Sequence, residues 1–331
     1  MRKIFTPQYP IYISSFAAVG GYEERRGPLG DLFDLASDDD RFGERTWERA
    51  EGEMGRVCLN LAMKKADISP TEIDLLLAGD LQNQCVATSG GLLTFGIPFI
   101  GLYGACSTLT EGLCTAAAYL SADSTLSRCA VVTSSHNCAA ERQFRTPLEY
   151  GAQRAPSAQW TATAAGAFIL GRYGRAGIRG FLPGVMTDGY VRDGANMGAA
   201  MAPAALDTIL RYFSLSGKRP SDFDLIVTGD LGAVGSEILR EMLSERLPGA
   251  ERLHTDCGLM LYDRDRRDFH SGGSGCGCSA SVLAAKLLPE ICRGELHDVL
   301  FLSTGALMSP SSVQQGQNIA GIAHAVHISA V

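Results

Sequence analysis

The residues with most chemical potential in this sequence are one cysteine and two histidines. Cys106 lies in the small-residue turn Tyr103-Gly104-Ala105-Cys106-Ser107, ahead of an apolar helix expected over Leu113 to Leu120. A cysteine that opens a helix sits at the positive end of the helix dipole, which favours thiolate over thiol. Paired with an imidazole, such a thiolate would attack a thioester, and His136 and His324 are the candidate bases. Acyl transfer also needs donors for the developing oxyanion, and no motif supplies them. The other reading, which we favour, keeps Cys106 as a small side chain that fits a tight elbow and lines a pocket.

Two further patterns are set aside. His254, Cys257, His270, Cys276 and Cys278 cluster along the chain, but Cys276-Gly277-Cys278 lacks the spacer that paired zinc ligands need, so no metal is expected. Gly273 to Gly277 (GSGCG) lacks the spacing of a dinucleotide loop, and no nucleotide or other cofactor is expected.

The elements that must position Cys106 are legible in the rest of the chain. The 331 residues carry a formal net charge of -7, which repels phosphate backbones and argues against nucleic acid as a partner. Arg264, Arg266 and Arg267 alternate with aspartates and form no basic patch. The ten cysteines sit mostly in apolar runs, as buried small hydrophobes do, which implies a reducing compartment without a disulfide framework. The start, MRKIFTPQYPIYISS, is interrupted by Pro7 and Pro10 and reads poorly as a signal peptide. Leu81 to Thr110 contains no charged residue, yet its glutamines, glycines and Pro98 do not suit a membrane span; a buried strand with turns fits better.

The chain repeats itself. Pro70 to Leu81 (PTEIDLLLAGDL) and Pro220 to Leu231 (PSDFDLIVTGDL) share six of twelve residues at a constant offset of 150. Each reads as a turn and then a buried strand ending in Gly-Asp. A helical stripe precedes each: Trp47, Ala50, Met54, Val57, Cys58 and Leu61 in one case, Leu206, Ile209, Leu210 and Phe213 in the other. Downstream, helix Leu113 to Leu120 leads to strand Arg128 to Ser135, and helix Val282 to Leu288 leads to strand His297 to Thr304. Gly273 to Gly277 is the counterpart of the Cys106 elbow. Alternating elements with continuous apolar strands predict an α/β fold in which two similar halves, 1–175 and 176–331, bury a shared helix layer between two sheets. The boundary falls in the glycine-rich stretch Gly174 to Gly180, and Ser134 to Ala165 is a charged insertion suited to covering a pocket.

A duplicated half with a cysteine that follows a buried strand and opens a buried helix resembles the thiolase and ketoacyl-synthase superfamily, with Cys106 at its nucleophile position. The strings GPLG (Gly27 to Gly30), LAGDLQNQ (Leu77 to Gln84), GACST (Gly104 to Thr108), SSHNCAAERQFRTPLEYGAQ (Ser134 to Gln153), LIVTGDLGAVGS (Leu225 to Ser236) and GGSGCGCSA (Gly272 to Ala280) resemble the stage V sporulation protein AD family more closely still. That resemblance implies a thiolase-like duplicated αβαβα layered fold with pseudo-two-fold halves. It implies a non-enzymatic protein that binds dipicolinic acid (pyridine-2,6-dicarboxylate) or its calcium chelate. Such a protein works with membrane proteins of the same operon, peripherally at the spore inner membrane. The superfamily resemblance implies a homodimer paired through a first-half strand, for which Leu92 to Leu102 is the natural candidate.

Condensing enzymes of the superfamily add two second-half partners, His with His or Asn. The matching positions here are Asp230 and the Gly272-Gly273-Ser274 segment, neither of which makes the usual donor pair. For a flat dianion, Arg142 and Arg145 would share a helical face and fork onto a carboxylate, with Phe144 or Tyr150 supplying a ring face and His136 and Asn137 further donors. The alternative pairs both arginines with Glu141 and Glu149 at the surface. Asp80 either orients a donor or bound cation, or caps a helix after Gly79. Cys106 and Asp230 complete the expected ligand-binding set.

Overall fold

The protein is described from a computed structural model, covering residues 3–144, 154–266 and 268–331. Its first half contains β1 (Tyr12–Gly20), β2 (Leu75–Gly79), β3 (Phe99–Gly101), β4 (Cys129–Ser135) and β5 (Ala164–Gly171), in the spatial order β3-β2-β4-β5-β1. Its second half contains β6 (Ala176–Leu182), β7 (Leu225–Thr228), β8 (His254–Asp256), β9 (Asp298–Leu307) and β10 (Ala320–Ala330), ordered β8-β7-β9-β10-β6. Each strand of one half thus has a counterpart in the other, with the first three strands of each order paired in parallel and the last two added by antiparallel pairing. The duplication read from the repeat is real. One detail differs from the two-sheet expectation: Tyr12 pairs Gly177 and Ile13 pairs Ala176, so the two sheets join edge to edge through β1 and β6.

Helix α1 (Trp47–Ala66) lies on the outer face of β1, β4 and β5 and buries Ala50, Met54 and Cys58 of the expected stripe, with Leu59 beside them, while Trp47, Val57 and Leu61 are partly buried. It packs against α2 (Val86–Leu92). Helix α3 (Thr108–Ala122) touches strands of both halves and forms the shared layer. In that layer it is joined by a second-half helix, introduced below, that opens at Cys276. Between β4 and β5 runs α4 (Asn137–Phe144). On the other outer face, α5 (Met197–Ser216) covers β9 and β10 and packs against α6 (Gly232–Arg246). The second central helix, α7 (Cys276–Val282), packs on β4 and β5. Both outer helix pairs cross at glycine: a Cβ on Gly91 would lie 2.1 Å from the Gly52 carbonyl oxygen, and one on Gly235 would lie 2.7 Å from that of Gly198. No side chain fits either crossing, so the backbones can touch.

The repeated acids explain how each half is registered. Asp74 Oδ2 accepts from the amides of Ser127 and Arg128 at 2.7 and 2.9 Å, which ties the start of β4 to β2. Asp224 Oδ2 does the same for the amides of His297 and Asp298 at 2.5 and 2.9 Å, tying β9 to β7. The uncharged run Leu81 to Thr110 folds as turns, α2, the short β3 and the elbow. Among the described residues, no helix is long and apolar enough to cross a membrane.

Candidate functional site

Cys106 sits on a one-turn helix, Ala105–Ser107, that runs into α3. Ala105 holds φ at +52°, a left-handed conformation that costs a residue with a Cβ free energy and marks the elbow as an enforced geometry. The thiol is buried, with its sulfur 3.7 Å from Ser274 Oγ. Ser274 comes from a two-residue strand, Gly273–Ser274, that pairs in parallel with Trp160–Thr161. The first-half insertion is therefore stitched to the second-half elbow at this point.

Behind Ser274 stands Asp230, fully buried at the end of β7. Its Oδ2 accepts from Ser274 Oγ at 3.0 Å and from the Gly275 amide at 3.1 Å, and its Oδ1 accepts from Thr304 Oγ1 at 2.7 Å. Burial first, and the Asp230 carboxylate second, push the Cys106 thiol well above its ordinary range. The thiolate expected from the helix terminus alone is thus not what the tertiary surroundings favour: desolvation and a neighbouring acid outweigh the dipole.

Neither candidate base joins the cysteine. His136 Nε2 lies 2.8 Å from the Asp40 carbonyl oxygen, its ring sits 5.3 Å from that of Trp47, and it faces α1. His324 Nδ1 accepts from the Gly184 amide at 3.0 Å, and burial pushes its pKa down to about 4. Neither residue lines the cavity described below, and the Cys-His pair considered from sequence is not assembled. Asn137 also faces away: its amide donates to Thr163 Oγ1 and its Nδ2 to the Thr161 carbonyl.

Asp80 takes the capping role. Its Oδ1 accepts from the Gln82 amide at 2.7 Å and its Oδ2 from the Thr88 amide at 2.8 Å, which closes the turn into α2. Glu51 lies next to it, bound by Gln82 Nε2 and Ser134 Oγ, and burial together with the Asp80 charge raises its pKa. Arg142 projects toward α1, half exposed, and pairs with Glu48. Arg145 and Tyr150 lie outside the described residues. The zinc candidates are spent elsewhere: His254 bonds Thr228 Oγ1, and the Cys276 thiol donates to the Ser134 carbonyl. Among the described residues no cluster has the composition of a metal site.

A cavity of about 1040 Å³ opens over Cys106. Ala105, Cys106 and Ser274 form its floor; Ala140, Glu141 and Phe144 of α4 form one wall, and Leu307, Met308 and the short helix Pro310–Gln314 form the wall opposite. Of the residues expected from sequence, Cys106 and Phe144 line it, and Asp230 supports its floor from behind. The residue missed from sequence is Arg154. Its guanidinium lies 4.7 Å from the Trp160 ring centroid, Nη1 donates to the Gln159 carbonyl at 3.1 Å, and Nη2 sits 3.0 Å from Glu141 Oε1. Among the described lining residues it is the sole cation, alongside the acids Glu141 and Asp268. No spacing signals it; the neighbouring string through Gln153 ends one residue short of it.

Similarity to known proteins fits this geometry. A family model described as Stage V sporulation protein AD (SpoVAD) matches residues 2–329. The Stage V sporulation protein AD of Bacillus subtilis (strain 168) is 40% identical over 326 residues, covering 98% of this chain and 96% of that protein. Among solved structures, OleA of Xanthomonas campestris superposes with a TM-score of 0.60 at 13% identity, covering 99% of this chain and 100% of that one. The 3-oxoacyl-[acyl-carrier-protein] synthase III of Aquifex aeolicus VF5 superposes with a TM-score of 0.55 at 14% identity, with the same coverage. At such identities these two likenesses establish the fold alone. The chain belongs to the stage V sporulation protein AD family and has a thiolase-like fold.

Proposed function

We propose that this sporulation protein is a receptor rather than a catalyst, and that its cavity binds pyridine-2,6-dicarboxylate, free or as its calcium chelate. The observation that carries this reading is the floor of the cavity. Where acyl chemistry would need a base and oxyanion donors, Cys106 faces Ser274 and Asp230 instead. A carboxylate there opposes a developing anion. The walls supply what an aromatic acid needs, apolar side chains with a guanidinium placed among them. In this reading the protein takes part in moving dipicolinate across the spore inner membrane, held there by membrane proteins of the same operon. Titration calorimetry of the purified protein should show saturable dipicolinate binding, with benzoate, which has a single carboxylate, binding far more weakly. Heat equal to buffer at millimolar dipicolinate would remove the proposal.

The strained elbow that presents Cys106 to the cavity favours one second reading, a Cys106-dependent acyltransferase or hydrolase acting on thioesters. It requires an acyl adduct on Cys106, visible by mass spectrometry after incubation with acyl-thioesters. No adduct across a broad panel would eliminate it.

The partner expected at the sheet edge is a second copy. Among the described residues β3 pairs with β2 alone, and Val86, Leu93, Phe99 and Tyr103 are exposed beside it in a run without charge. An open, uncharged edge invites pairing, and an antiparallel copy of the same strand satisfies it symmetrically. Light scattering should return twice the mass of the 35.2 kDa chain. A Phe99→Lys variant should shift that mass toward the monomer, and a monomeric wild type would contradict the expectation.

A further inference from the structure

The cation in the cavity wall is already occupied. Arg154 and Glu141 form an ion pair at 3.0 Å, with side chains only 11% and 15% exposed. A pair so far from water loses much of its attraction to desolvation, so it is a poor device for stability alone. Nor is Glu141 the group that places Arg154. The Trp160 ring lies beneath the guanidinium, the Gln159 carbonyl takes Nη1, and the segment carrying both is pinned to the second half by the Trp160–Gly273 pairing. Glu141 contributes something else, a carboxylate on Nη2, a position that an incoming carboxylate would also use.

A carboxylate ligand binds guanidinium best through two parallel N–H bonds. With Nη1 donating to a backbone carbonyl and Nη2 facing Glu141, two of the five guanidinium donors are engaged, and a ligand carboxylate that forks onto Nη2 competes with Glu141 for it. A ligand carboxylate that arrived without displacing it would also stand beside a like charge in a partly dry wall. We propose that Glu141 is a resident carboxylate that holds the ligand's place on Arg154, so that binding is an exchange of one carboxylate for another. The site then rejects weak single carboxylates, which gain too little to displace Glu141, and admits ligands whose second acid group or ring adds contacts elsewhere in the cavity. This deepens the receptor reading and rests on it for the identity of the ligand.

The test uses Glu141→Gln, which keeps the shape and an acceptor for Arg154 but removes the charge. Dipicolinate should bind the variant about tenfold more tightly, the partial exposure of the pair limiting the gain. Benzoate should gain at least as much in proportion. Unchanged or weaker dipicolinate binding would overturn the inference and make Glu141 a residue that merely orients Arg154. A second arm needs no dipicolinate. Phenylglyoxal modification of Arg154, followed by peptide mass spectrometry, should be several-fold faster in Glu141→Gln than in the wild type, and an equal or slower rate would also overturn the inference. Should the wild type and variant both ignore dipicolinate, the ligand assignment fails while the modification arm still decides the role of Glu141.

Discussion

Arg154→Ala is expected to weaken dipicolinate binding by roughly a hundredfold, the free energy of charge-assisted hydrogen bonds to a carboxylate. Arg154 is the one cation among the described lining residues, and a dianion leaving water needs at least one such partner. Arg154→Lys should recover part of the affinity, because an ammonium keeps the charge but loses the fork and the stacking on Trp160. The control is Arg142→Ala. That side chain is half exposed and pairs with Glu48 on α1, so its removal should change affinity less than about twofold. Titration of the three variants, with thermal melts to confirm folding, separates the possibilities. An Arg142→Ala loss equal to that of Arg154→Ala would move the anion site to the outer side of α4.

Asp230→Ala is expected to cost roughly 4 kcal/mol of stability, among the largest effects of any single substitution. Three donors converge on this buried carboxylate: Ser274 Oγ, the Gly275 amide and Thr304 Oγ1. Alanine leaves them without an acceptor and opens a small cavity beneath the elbow. Chemical denaturation would measure the loss. The same variant should make Cys106 more reactive toward iodoacetamide, because one cause of its raised pKa disappears with the carboxylate. A loss below about 1 kcal/mol would show that the donors find other partners and that Asp230 is dispensable to the floor.

The two Gly-Asp endings of the repeat show where sequence stops informing. In the segments Pro70 to Leu81 and Pro220 to Leu231 the acids are identical and occupy the same place. In the fold Asp80 caps its own downstream turn, bonding Gln82 and Thr88 within eight residues along the chain. Asp230 instead reaches Ser274, 44 residues on, and Thr304, 74 residues on. In the second half the local duty passes to Asp256, whose carboxylate accepts from the Leu231 and Gly232 amides. A capping reading needs only near neighbours and was available for Asp80. The role of Asp230 depends on which distant segment arrives at the end of β7.

The same division separates the rest. Most of the burial stripe of α1, the turn and strand of each repeat and the duplicated halves follow from periodicity and local turn chemistry. Those signals are short-ranged, and they were legible in the sequence by itself. The cavity is assembled from the Cys106 elbow, one face of α4, the stretch Arg154 to Thr161 and the stretch Ala306 to Gln314. Whether Arg142 or Arg154 faces that space is set by how α4 lies on α1, and by the pairing of Trp160 with Gly273. Burial likewise decided the state of the Cys106 thiol, since desolvation belongs to the packed surroundings and not to the residue. Tertiary structure therefore chose the cation, the floor and the ionisation of the site, because each depends on contacts between segments that are far apart along the chain.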